Sequence, residues 1–133
     1  MNEITRTGWD VLDEARAALR STVAGVPADG WARVSSDGGP VPTPLPSGPM
    51  PPADAAAAAA LDAAIHAWDI AMGTGQASPL TPALARALTP VARSIVEPLR
   101  QYGVYAAALE PGAGADDAAA LLGYLGRSPA WPA

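Results

Sequence analysis

Residues 52–76 read PADAAAAAALDAAIHAWDIAMGTGQ, with no lysine, arginine or glutamate among them. No other stretch constrains the fold as strongly. Alanine has the highest helix propensity of any residue, and Gly73 and Gly75 supply a stop. A helix over 52–74 is therefore predicted. At about 100° per residue, Leu61, Ile65, Trp68 and Met72 form one narrow stripe. Asp62, His66 and Asp69 form a second stripe roughly 85° away. Ala63, Ala64, Ala67 and Ala71 occupy much of the remaining surface. A helix so poor in charge is expected to be buried on most sides. Its three polar groups should then face the interior or a pocket, where they need partners.

Three readings of that polar stripe are open. Asp62 and His66 lie one turn apart, the spacing that puts two metal ligands on one helix face. A catalytic zinc, however, takes three protein ligands and a water, and His66 is the only histidine in the chain. In the second reading a carboxylate, Asp62 or Asp69, orients His66, which serves as general acid or base. In the third, the stripe is a buried network whose members satisfy one another.

The rest of the chain is read around this helix. An amphipathic helix is expected over 5–25, with Thr7 as N-cap, Gly25 as stop, and Trp9, Leu12, Leu19 and Val23 on one face. Residues 26–52 are dense in proline and glycine and form an insert. It is either a short hairpin pairing Trp31–Val34 with Val41–Thr43 or an irregular loop. A third helix is expected over about 80–101, with Thr81 as N-cap and Pro82 at the first helical position. Leu84, Leu88, Val91, Ile95 and Leu99 form its apolar stripe, and a kink or break is expected at Thr89–Pro90. Residues 103–114 read as extended or looped. A short helix over about 115–125 follows, with Asp116 and Asp117 at its N-terminus. The expected class is all-α: one domain over 1–133, a helical bundle carrying the 26–52 insert.

Composition removes several chemistries. There is no cysteine and no lysine, which excludes disulfides, thiolate ligands, a Schiff-base lysine and a P-loop lysine. The net charge is −5 and the eight arginines are scattered, so nothing favours nucleic acid. No secretory leader and no run of about 18 apolar residues is read from the sequence. The expectation is a cytoplasmic protein with no membrane partner and a small organic molecule as ligand. Trp68, Trp9 and Met72 are the expected pocket residues, set against the commoner use of aromatics as core anchors. Arg86, Arg93 and Arg100 share a helix face. They either steer an anion or, with Glu97, form a solvated paired face.

The segment LDAAIHAWDIAMGTGQ resembles a signature of the DinB-like metalloenzyme superfamily, in the branch of mycothiol-dependent maleylpyruvate isomerase-like proteins. The matching residues are Asp62, His66, Trp68, Asp69, Ile70, Ala71, Thr74, Gly75 and Gln76. SGPMP at 47–51 and LGRSPAW at 125–131 resemble flanking segments of that branch, with Ser128 where an aspartate is usual. The resemblance implies a four-helix bundle and a divalent metal such as zinc or nickel. It also implies a low-molecular-weight thiol cofactor and metal ligands at Asp62 and His66. The family's third ligand is a histidine on an earlier helix. Relatives carry two further helices ahead of the part that matches residue 5 onward, and the sequence here lacks both them and that histidine. The expectation is thus a partial bundle completed by a homodimer, with chemistry centred on Asp62, His66 and Asp69. That chemistry is acid–base isomerisation, cyclisation or dehydration, or else metal- and thiol-dependent transfer. A non-catalytic binding or interaction module is the alternative outside enzymes.

Overall fold

The computed structural model describes residues 8–25, 27 and 39–131. Four helices run in the order α1 (Gly8–Ala24), α2 (Pro52–Gly73), α3 (Pro82–Gln101) and α4 (Asp117–Tyr124). The described residues form no strand, so the class is all-α. The chain divides into two compact units, Met1–Gly38 and Gly39–Ala133.

In the first unit α1 ends where expected, and the Gly25 N–H donates to the Ser21 and Thr22 carbonyls. Leu19 is exposed. Thr7, the side chains of Trp9, Leu12 and Val23, and the proposed strand Trp31–Val34 lie outside the described residues.

In the second unit α2, α3 and α4 surround one core. It is built from Leu61, Ile65 and Trp68 of α2, Leu88, Val91, Ala92 and Val96 of α3, and Leu121, Leu122 and Leu125 at α4. Local chemistry sets the helix starts. The Thr81 hydroxyl accepts from the Leu84 N–H at 3.2 Å, with Pro82 in the first turn. Asp116 Oδ1 accepts from the Ala119 N–H at 2.8 Å. All three helices end in the same cap. At α2 the Gln76 N–H donates to the Ala71 carbonyl at 2.8 Å and the Gly75 N–H to Met72. This cap needs a left-handed residue, and Gly75 supplies it at φ 69°. The Thr74 hydroxyl also donates to the Ile70 carbonyl and accepts from Gln76 Nε2, each at 2.7 Å. The Thr-Gly-Gln triplet of the sequence is therefore a helix terminator.

Helix α3 continues through Pro90 and also holds Pro98. Both prolines sit on the exposed face, where water can bond the Arg86 and Ser94 carbonyls that they leave without a helical N–H, and the helix is unbroken. Helix α2 is not buried on most sides: only Leu61, Ile65, Trp68 and Ala71 are buried, and most of its alanines face outward. An exposed methyl group costs little, so the alanine run records helix propensity rather than burial. By length and composition α2 could also cross a bilayer, contrary to the expectation that no segment could. Its apolar stripe of Leu61, Ile65 and Trp68 lies in the core shared with α3.

The expected hairpin partner, Trp31–Val34, lies outside the described residues. Val41 and Met50 form one antiparallel bridge, with N–H to carbonyl distances of 2.7 and 3.0 Å. The turn inside it is tied by the Thr43 hydroxyl donating to the Gly48 carbonyl at 2.7 Å. This small loop stands beside α2.

Candidate functional site: a polar stripe between two depressions

Because α2 places residues three and four apart on one face, Asp62, His66 and Asp69 fall into a row. His66 Nε2 lies 3.4 Å from Asp62 Oδ1, and His66 Nδ1 lies 3.4 Å from Asp69 Oδ2. The ring is thus flanked by a carboxylate at each nitrogen. The row faces solvent rather than the interior: Asp62 is 72% exposed, His66 62% and Asp69 37%. Its partners come from the surface of the unit.

The sequence paired Asp69 only with His66, and the structure adds Arg127. Arg127 donates through Nε to Asp69 Oδ1 and through Nη2 to Asp69 Oδ2, both at 2.8 Å. This two-pronged geometry suits a guanidinium and a carboxylate. The cap of α4 puts Arg127 in place. Its N–H donates to the Leu122 carbonyl at 2.8 Å, across Gly126 at φ 81°. Hydrogen bonding from Arg127 holds Asp69 below the usual carboxylate range, outweighing partial burial, and the charges of Arg127 and His66 add to it. The same hydrogen bond raises Arg127 further. Asp69 is thereby kept ionised beside His66.

Two depressions lie at the ends of the row. The larger, about 580 Å³, is lined by Pro42, Pro44 and Leu45 of the insert, Ala55, Ala58 and Ala59 of α2, Ile95 and Leu99 of α3, and Val104. Asp62, Thr43 and Tyr105 also line it. Its volume falls in the range of small-molecule sites. Burial raises the Tyr105 hydroxyl above the usual tyrosine range, opposed by the charge of Arg127 and reinforced by Asp62 and Asp69. Tyr105 therefore stands within electrostatic reach of Asp62, Asp69 and Arg127. The smaller depression, about 280 Å³, is lined by Trp68, Asp69, Arg127, Ser128 and Trp131.

Of the expected pocket residues, Trp68 is a core residue that reaches the smaller depression. Met72 packs against the core. Trp9 carries no described side chain. The three arginines of α3 act as staples rather than as an anion funnel. Arg86 pairs with Asp117 at 2.7 Å. Arg93 and Arg100 lie over the Tyr124 ring at 5.3 and 5.2 Å. Arg100 also pairs with Glu97 and donates to the Ala106 carbonyl.

The residues present do not make a complete metal site. Among the described residues no group of three His, Cys, Asp or Glu side chains is placed to hold a metal ion. Asp69, the nearest further carboxylate, has both oxygens bound by a guanidinium. What the row does offer is a histidine with an anchored carboxylate on one nitrogen and a groove-lining carboxylate on the other.

Comparison with protein-family models, with curated proteins and with solved structures finds no match to this chain.

Proposed function

We propose that this protein is a small-molecule enzyme working by general acid–base chemistry, with its ligand in the groove beside Asp62. In this reading Asp69, pinned by Arg127, orients the His66 ring through Nδ1. The other ring nitrogen, Nε2, exchanges protons at the groove through or beside Asp62. A base of this kind takes a proton from a carbon next to a carbonyl and returns it at a neighbouring position. The product is an isomer, or a cyclised or dehydrated molecule, and no outside oxidant or reductant is consumed. The observation that carries the reading is the placement of His66 between two carboxylates at 3.4 Å, one of them lining a 580 Å³ apolar groove.

The test is solvent deuterium incorporation, followed by NMR, into a panel of enolisable carbonyl compounds. Wild type should exchange at least 100-fold faster than His66→Gln, the lower end of what a positioned acid–base group contributes (about 10²-fold). Equal rates in the two proteins refute the reading. A second reading, a non-catalytic binding module, is favoured by the exposure of Asp62 and His66 at 72% and 62%. It predicts groove binding without exchange.

The same proposal takes the folded unit as part of a DinB-like bundle that a second copy completes. What supports it is the exposed row of Ala56, Ala60, Ala63 and Ala67, with Ile70, on α2.

A further inference from the structure

We infer that the groove takes a small organic ammonium ion, an apolar body ending in a protonated amine that pairs with Asp62. The inference rests on the groove being the ligand site and names the charge of what enters it. Nine of the twelve residues lining the groove are apolar: Pro42, Pro44, Leu45, Ala55, Ala58, Ala59, Ile95, Leu99 and Val104. Thr43 is already engaged, its hydroxyl donating to the Gly48 carbonyl and accepting from the Leu45 N–H. Asp62 and Tyr105 are left as the polar groups, and Asp62 alone carries a charge.

Asp54 and Glu110 do not line the groove, and four of the unit's other carboxylates are already matched. Asp69 has Arg127, Asp117 has Arg86, and Glu97 has Arg100. Asp116 caps α4. Asp62 has His66 at 3.4 Å as its ion-pair partner and no arginine among the described residues. A carboxylate at the edge of an apolar wall favours a cation that brings its own apolar body, because one end buries surface while the other pairs. An anionic ligand would meet Asp62 with no basic group lining the groove. Tyr105 adds an aromatic wall, on which an ammonium group is also favoured.

The experiment is an NMR titration of the full chain with three probes of one skeleton: hexylamine, hexanol and hexanoate. Hexylamine should bind roughly fivefold tighter than hexanol, the upper range for a solvent-exposed ion pair, with hexanoate weakest. The shifted amides should be those of the groove, around Asp62, Leu99 and Tyr105. In Asp62→Asn, a surface change that leaves the core intact, hexylamine and hexanol should bind equally. In His66→Gln the preference for the amine should persist. Hexanoate binding as tightly as hexylamine overturns the inference. So does a preference that survives Asp62→Asn, or shifts that fall outside the groove. These titrations read binding alone. Absence of deuterium exchange would remove the acid–base reading and leave this ranking standing.

Discussion

Gly126 is the residue on which the anchored end of the site most depends, and replacing it with alanine tests that directly. Two costs add. Gly126 has φ 81°, where a non-glycine residue costs about 1–2 kcal/mol. A methyl group there would also lie 2.8 Å from Ala106 Cβ and 3.0 Å from the Ala106 and Ala107 carbonyl oxygens. None of these atoms can rotate aside, and overpacking of this kind costs about 1–3 kcal/mol. The sum is about 3 kcal/mol. At roughly 4–8 °C per kcal/mol for a unit of this size, Gly126→Ala should lower Tm by about 12–24 °C. Gly75→Ala separates the two costs, because Gly75 has φ 69° but nothing within 4 Å of its added methyl. That variant, at about 1.5 kcal/mol, should lose only about 6–12 °C. Melting followed by circular dichroism measures both. If the two variants melt within a few degrees of each other, the 105–109 segment does not press on Gly126, and the reasoning fails.

Further outcomes follow from the same contacts. A double-mutant cycle on Asp69→Asn and Arg127→Gln, read by urea unfolding, should give a coupling of about 1 kcal/mol, because the pair is partly exposed to solvent. Asp69 titrates below its unfolded value, so its contribution is complete above about pH 4 and is lost as pH falls through the folded value. The stability difference between wild type and Asp69→Asn should therefore shrink on acidification. Asp116→Ala removes the cap of α4 and should cost about 1 kcal/mol in the same assay. Leu61→Ala, at a fully buried position, should cost about 2–5 kcal/mol. Sedimentation equilibrium should give the mass of two 13.3 kDa chains, and Ala63→Arg, on the exposed face of α2, should return it to one.

Features set by a few adjacent residues were legible in the sequence. Thr81 with Pro82, Asp116 before α4 and Gly75 after α2 act within one turn, and each does what its residue type dictates. The row of Asp62, His66 and Asp69 was legible for the same reason, since helical period alone aligns it. Arg127 was not, because it meets Asp69 across 58 residues and only the packing of α4 on α3 brings them together. The place of Tyr105 in the groove lining was not set by helical period, because a loop carries it there. The exposure of α2 was misjudged because a run of alanines signals helix strongly and burial weakly. The bridge between Val41 and Met50, which closes a proline-rich turn, was not read from the sequence.

The central claim is that Arg127, through Asp69, holds the His66 ring in place beside the groove. With a single histidine in the chain, the ring gives one unambiguous set of NMR signals. Carbon relaxation of that ring is the decisive measurement, in wild type and in Arg127→Gln. The account predicts a ring nearly as rigid as the backbone in wild type, with an order parameter of about 0.8, falling below about 0.6 when Arg127 is replaced. A ring equally mobile in both proteins would contradict it.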